Sequence, residues 1–205
     1  MTVIGLTGGS GVGKGYVCQK FLNLGIPSID TDKTARTVCE PGKPCLNELV
    51  SYFGNVILAP DGTLDRRKLA EIAFSDSEKH SVLNKITHFH ILNEVRLWLK
   101  LQSEKGCIAA IVDAPLLRES GFDKECDVIV AVIANRDIRI KRILMRDGIT
   151  EDQALLRLSK QHEDHFYTEK ADHVIVNNGE PTLLDSQVKE VYNAIKSLCT
   201  TDKKE

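Results

Sequence analysis

No apolar run in this chain approaches the roughly 20 residues that a membrane-spanning helix needs. The first one, Val3-Ile4-Gly5-Leu6-Thr7, has no basic stretch before it and gives way at once to glycines, so a secretory leader is not expected either. Charge of one sign is also missing. The 27 Lys and Arg residues against 29 Asp and Glu residues leave a net −2, which offers no electrostatic case for nucleic acid or an anionic membrane surface. The expected partner is a small molecule, in the cytoplasm, with no nucleic acid, no membrane and no obligate protein partner. The six cysteines form no Cys-x-x-Cys pair and no zinc-ligand spacing, so reduced structural thiols are expected. No repeat or low-complexity linker divides the 205 residues, a length that suits one domain with a small inserted subdomain.

What is present begins with Gly8-Gly9-Ser10-Gly11-Val12-Gly13-Lys14, set between the apolar run and a predicted helix from about Gly15 to Leu24. Strand, glycine-rich loop and helix in that order make a P-loop, in which backbone N–H groups and the helix N-terminus surround phosphate oxygens. Glycines permit positive φ and close backbone approach, and Lys14 brings a mobile charge to the β- and γ-phosphates. Gly9, Ser10, Gly11, Val12, Gly13, Lys14, Gly15 and Tyr16 are therefore the candidate residues for ATP. One group is lacking. The pattern asks for Ser or Thr after the lysine, to place a hydroxyl on Mg²⁺, and this chain has Gly15-Tyr16.

Short apolar runs at Val3–Thr7, Ile26–Ile29, Ile108–Val112, Val128–Ile133 and Val174–Val176 read as buried strands separated by helical stretches, such as Leu69–Phe74 and Ile91–Leu101. The expected fold is α/β, a five-stranded parallel sheet flanked by helices. The segment between the second and third runs, about Lys33 to Lys105, is too long for one crossover and predicts a helical subdomain. A second insertion is expected between Ile138 and Lys170. The tail, Thr200–Glu205, is expected to fray.

Acids follow the apolar runs. Asp30-Thr31-Asp32 comes after the second, and ligands of open α/β sheets sit beyond the strand carboxyl ends. Asp32 is the candidate acceptor of a proton from an attacking hydroxyl, while Asp30 shapes the turn, caps a helix or helps to hold a hydrated metal. Asp113 ends Cys107–Val112 as the acid of a Walker B element does, which makes it the candidate for Mg²⁺, directly or through water. Arg139, Arg142 and Arg146 are spaced to share a helix face, either as phosphate ligands or as a solvated basic face.

Ile4-Gly5-Leu6-Thr7-Gly8-Gly9, Asp30-Thr31-Asp32 with Ala35-Arg36, Asp61-Gly62-Thr63-Leu64-Asp65-Arg66, Ile86-Thr87-His88, Pro115-Leu116-Leu117 with Glu119, and Val174–Gly179 stand in the order found in dephospho-CoA kinases. The chain resembles that family over almost its whole length. The resemblance implies a P-loop kinase fold with a nucleotide-binding core (1–32, 106–137, 171–199), a helical acceptor-side subdomain (33–105) and a lid (138–170). It also implies ATP-dependent phosphorylation of the ribose 3′-hydroxyl of dephospho-CoA, the last step of coenzyme A synthesis. A P-loop kinase for another nucleoside or nucleotide, and an ATP-binding protein impaired by Gly15, are the alternatives.

Carried onto this chain, the resemblance makes Asp32 the general base and places Arg36, Arg66, His88, Leu117 and Glu119 on the acceptor. Lys14 and Arg142 act on the transferring phosphoryl group, Arg146 holds the nucleotide and Asn177 lies near the adenine. The chain departs from the family at Gly15-Tyr16, where a Ser-Thr pair is usual, at Phe89 and Arg118, and after Gln161, where a Lys-Arg pair is absent. Losing one hydroxyl ligand predicts weakened use of Mg²⁺, with water in its place.

Overall fold

The computed structural model describes residues 1–201, with side chains through Leu198; residues 202–205 of the tail expected to fray lie outside the described residues. The elements are β1 (Thr2–Thr7), α1 (Lys14–Asn23), β2 (Ser28–Asp30), α2 (Thr31–Thr37), α3 (Pro44–Phe53), α4 (Arg66–Ala73), α5 (Ser77–Glu104), β3 (Ala109–Asp113), β4 (Val128–Ile133), α6 (Arg136–Asp147), α7 (Glu151–Ser159), α8 (Asp164–Thr168), β5 (His173–Val176) and α9 (Pro181–Thr201). The strands form one parallel sheet in the order β2-β3-β1-β4-β5. β1 pairs with β3 (Ile4 opposite Ile111) and with β4 (Leu6 opposite Val130), and β4 with β5 (Ala131 opposite Val174). The chain leaves the central β1 for one side and later returns to the other. The β1–α1 loop thus lies at the carboxyl edge of the sheet, where open α/β sheets hold ligands.

A parallel strand covered on both faces must be apolar on both, and the central strands obey this. All five residues of β3 are buried, and Ile4, Leu6, Val130 and Val132 are fully buried in β1 and β4. Val17, Cys18 and Phe21 of α1 and Leu184, Val188, Val191 and Ile195 of α9 close over them in one continuous cluster. Each such Leu, Ile or Phe contributes about 1.5–3 kcal/mol by leaving water. Gly5 stands where β1 is crossed most closely. A Cβ there would lie 2.7 Å from Leu117 Cδ2 and 2.8 Å from Cys126 Sγ.

β2 begins two residues later than its apolar run because the Ile26 N–H closes the turn that follows α1, donating to the Phe21 carbonyl at 3.0 Å. Pro27 next has no N–H to donate. The helical reading of Ile91–Leu101 becomes a helix of 28 residues, Ser77–Glu104. His, Asn and Thr fill its first half and blur the apolar period that marks its second.

The chain forms two compact units, residues 1–29 with 99–205 and residues 30–98. The first contains most of the sheet and α6–α9. The second has its own core of Val38, Cys39, Cys45, Leu49, Phe53, Ile57, Leu69 and Ala73. Two of its helices, α2 and α4, start on side-chain caps: Asp30 accepts from the Lys33 N–H at 3.0 Å and Asp65 from the Lys68 N–H at 2.9 Å, each satisfying a donor that the first helical turn leaves open. Asp30 therefore takes the capping role among those its sequence position left open.

Candidate functional site

In the first unit, the loop after β1 turns through Gly8 (φ 141°), Gly11 (φ 80°) and Gly13 (φ 92°), a path closed to residues with a Cβ, and Gly13 is the N-cap of α1. Lys14 opens that helix and folds back, its Nζ donating to the Gly8 carbonyl at 2.9 Å and lying 3.9 Å from Asp113 Oδ1. No acidic side chain occupies the first turn of α1. The helix dipole and the loop amides thus present an uncompensated positive end, which is the electrostatics of an anion site.

The loop is braced from behind. Arg142 Nη1 donates to the carbonyls of Gly11 (3.3 Å), Val12 (3.1 Å) and Asn177 (3.0 Å), and its Nη2 donates to Asn177 Oδ1 at 3.1 Å. Burial pulls the Arg142 guanidinium below its ordinary pKa. Asn177, itself buried, donates to the Val12 carbonyl at 2.9 Å. This packing is what glycine at 13 permits, since a Cβ there would lie 2.4 Å from Asn177 Nδ2. Beside it opens a cavity of about 360 Å³ lined by Gly13, Tyr16, Arg142, Asn177, Gly179, Glu180, Pro181 and Leu184. Its size and mixed lining suit a heterocyclic base.

Arg139 of α6 and Gln161, which follows α7, complete the bracing. Arg139, with solvation as one of its sequence readings, is only 8% exposed. Its Nε donates to the Ser10 carbonyl at 3.0 Å, its Nη1 to Asp164 at 3.1 Å and its Nη2 to Gln161 Oε1 at 3.1 Å. Gln161 Oε1 also accepts the Ser10 N–H at 2.8 Å, as a phosphate oxygen would. A Cβ on Gly9 would lie 2.3 Å from Arg139 Nη2. The spacing of Arg139 from Arg142 was the available signal; the contacts of Gln161 with a loop 151 residues earlier left none.

Arg146 lies at the end of α6, exposed, with Nη2 3.5 Å from Ser10 Oγ and Nε 2.8 Å from Asp147. Arg157 of α7 also binds Asp147. The Asp147 carboxyl is held down to about pKa 2, first by the hydrogen bond from Arg146 and then by that from Arg157. Leu117 is fully buried, with its side chain packed against Gly5 of β1. Glu119 pairs with His162 at 3.5 Å. Arg118, one of the departures from the pattern that the chain resembles, donates to the Phe166 carbonyl at 2.5 Å, pairs with Glu169 and covers the Phe166 ring at 4.3 Å.

In the second unit, Asp32 lies in the first turn of α2, exposed, and Arg36 in its last turn. Arg66, at the start of α4, reaches the carbonyls of Ala35 and Arg36, both at 3.4 Å. Asp32, Arg36 and Arg66 are thus gathered on α2 and its neighbour, while His88 lies within α5, partly buried.

For a divalent cation the donor set is spare. Among the described residues no group of three His, Cys, Asp or Glu side chains is arranged to hold a metal. Mg²⁺ in phosphoryl-transfer sites is held by one or two carboxylates, substrate phosphates and water, and Asp113 beside Lys14 supplies one such carboxylate. The residues fit the ion on those terms. Gly15 has open space around it, with no atom within 4 Å of an added Cβ, so packing does not require the missing hydroxyl to be missing.

The dephospho-CoA kinase family model matches residues 2–182. The chain is 39% identical over 197 residues to a dephospho-CoA kinase of Corynebacterium glutamicum, covering 96% of this chain and 98% of that one. It is 36% identical to a dephospho-CoA kinase of Shouchella clausii, over 94% and 96% of the two chains. The solved dephospho-CoA kinase from Campylobacter jejuni superposes with a TM-score of 0.68 at 25% identity, covering 94% of this chain and 96% of that one.

Proposed function

Because the chain belongs to the dephospho-CoA kinase family, we propose that it transfers the γ-phosphoryl group of ATP to the ribose 3′-hydroxyl of dephospho-CoA, giving coenzyme A and ADP. The observation that carries the reading is the glycine loop at the carboxyl edge of the sheet, with Lys14 folded between Gly8 and Asp113, in a chain whose family match runs through nearly every element. That match also disfavours a kinase for some other nucleoside.

The loop amides and the N-terminus of α1 hold the triphosphate, and Lys14 exchanges its Gly8 carbonyl for phosphate oxygens, neutralising charge as it passes to the leaving group. The base occupies the cavity at Tyr16 and Asn177. Arg142 and Arg139 hold the carbonyls of Ser10, Gly11 and Val12 and so fix the loop whose N–H groups meet the phosphates, the Ser10 N–H exchanging Gln161 Oε1 for a phosphate oxygen; Arg142 acts here by positioning. Arg146, with an exposed guanidinium beside Ser10, is the cation on this helix with reach to the nucleotide. Asp113 would hold Mg²⁺, and the ion when bound would supply further neutralisation of phosphate charge. On the acceptor, Asp32 takes the proton of the 3′-hydroxyl, Arg36 and Arg66 bind its phosphates, and His88 and Glu119 contact the remainder. Residues 138–170 act as a lid, contributing Arg146 and Gln161. The near-neutral surface and the thiol-rich sequence suit work in the cytoplasm on small molecules alone.

The deciding measurement is ADP formation from Mg-ATP by the purified chain with and without dephospho-CoA, with the product identified by mass and by the position of its phosphate. Acceptor-dependent ADP with matching coenzyme A is expected. ADP formed equally well without acceptor, or with a different nucleoside, overturns the assignment.

A further inference from the structure

Cys39 and Cys45 have no role in the phosphoryl transfer described above. Their sulfurs lie 3.6 Å apart, and both side chains are buried, at 4% and 0% exposure, in the core of the second unit. The chain that joins them is built to keep them together. Cys39 follows the last turn of α2, its N–H donating to the Arg36 carbonyl at 3.3 Å, and Cys45 sits in the first turn of α3. Between them, Glu40-Pro41-Gly42-Lys43 makes a tight turn closed by the Lys43 N–H on the Glu40 carbonyl at 3.1 Å, with Pro at its second position and Gly42 at φ 82° at its third. Those are the residues a type II turn asks for. Pro44 then starts α3 with φ already fixed. A loop with two prolines and a closed turn has little freedom, so the two sulfurs meet by construction rather than by chance packing. Residues 40–44 are all exposed, which puts a solvated loop directly over the buried pair.

The two sulfurs are not equivalent. The Cys39 thiol is drawn below its ordinary pKa, first by the hydrogen bond from Cys45 and further by the Arg66 guanidinium, while Cys45 is pushed up by the same bond and by burial. A nucleophile and a proton-holding neighbour within reach is the arrangement of reversible dithiol chemistry.

We propose that Cys39 and Cys45 are a reversible oxidation site, closed to a disulfide by low-molecular-weight disulfides, with Cys39 attacking and Cys45 resolving. The Cys39 thiolate attacks one sulfur of RSSR, forming a Cys39–SR mixed disulfide and expelling RS⁻. Cys45 then loses its proton, its sulfur attacks Sγ of Cys39, and the second RS⁻ departs. Two protein thiols give up two electrons and two protons, and RSSR is reduced to two RSH. A bond over so short a loop joins the end of α2 to the start of α3, on the segment that carries Arg36 and meets Arg66.

The test uses the full chain, reduced, freed of reductant and exposed to oxidised glutathione as the probe. Trypsin does not cut before Pro44, so both cysteines fall in the single peptide Thr37–Arg66. In the wild type this peptide is expected to become two hydrogens lighter, to resist alkylation, and to recover both thiols on reduction. Cys45→Ser is expected to stop at a glutathione adduct on Cys39, and Cys39→Ser to slow reaction at Cys45 by about tenfold or more. A wild-type peptide that keeps both thiols free while other cysteines react overturns the proposal. So does one that stops at the mixed disulfide. The wild-type measurement needs no variant to fold, and it does not depend on which acceptor the enzyme uses.

Discussion

The donor-side loop and the acceptor-side helices are built on opposite principles. Around Gly8–Lys14 nearly every atom is spoken for: a Cβ at Gly8, Gly9, Gly11 or Gly13 would come within 2.6 Å of a backbone or side-chain atom, and Arg139, Arg142 and Asn177 hold the carbonyls in place. On α2 and at the start of α4, Asp32, Arg36 and Arg66 are exposed side chains on capped helices. On the proposed assignment, a site for phosphates, the same in every triphosphate, is made of rigid backbone, whereas recognition of a particular acceptor falls to side chains on short helices, where reach matters more than rigidity.

The comparison is sharpened first at Asp32. Asp32→Asn keeps the shape and removes the proposed base, so transfer is expected to fall by about 10²–10⁴-fold with ATP affinity unchanged, as rapid-quench kinetics and a nucleotide titration would show. A full rate removes Asp32 from the mechanism. Next is Gly13→Ala. The left-handed φ and the 2.4 Å approach to Asn177 Nδ2 force the loop open at a cost of about 1–3 kcal/mol, which predicts roughly ten- to a hundredfold weaker ATP binding. An unaltered dissociation constant shows that the loop is softer than its packing implies. Arg66→Ala, on the tolerant side, is expected to raise the acceptor KM about tenfold without moving the KM for ATP.

Position 15 breaks the comparison from inside, because it adjoins the crowded loop yet has open space. Gly15→Ser is accommodated, gains a few tenths of a kcal/mol of helix propensity and restores a hydroxyl for Mg²⁺. Turnover is expected to saturate at severalfold lower Mg²⁺ than in the wild type; matching Mg²⁺ curves refute the weakened use of the ion inferred from Gly15. The smallest effect is expected in acid. Asp147 is held at about pKa 2 by Arg146 and Arg157, below its unfolded value. Its contribution is therefore complete above about pH 4 and lost as pH falls toward 2. Acid unfolding of Asp147→Asn should show a shallower slope across that window, measured by circular dichroism; identical slopes dissolve the tie between α6 and α7.

The β1–α1 loop was legible because its chemistry is local. Glycines at fixed offsets, an apolar strand before and a helix after are all consecutive residues, and Asp113 could be placed because a buried strand that ends in an acid is a local pattern too. The five strands were found for the same reason, with edges shifted by a residue or two, most at the start of β2, where Pro27 and the end of α1 intervene. Long-range partners were not legible. Nothing near Gln161 says that its side chain meets Ser10, and nothing near Arg139 distinguishes a guanidinium buried against a loop from one in water, since helical spacing fixes a face but not what covers it. Nor does anything near Leu117 say that its side chain fills the room that Gly5 leaves.

By itself the sequence determined the fold class, the phosphate loop and the family, since apolar periodicity, glycine offsets and the order of short motifs are properties of neighbouring residues. Only the tertiary structure decided that Arg142, Asn177, Arg139 and Gln161 brace the loop, that Asp30 caps a helix, and that Cys39 and Cys45 face each other across a closed turn. Those facts depend on which surfaces come to lie against which when apolar area leaves water, and contacts between residues far apart in the chain are set by that packing and written in no local pattern.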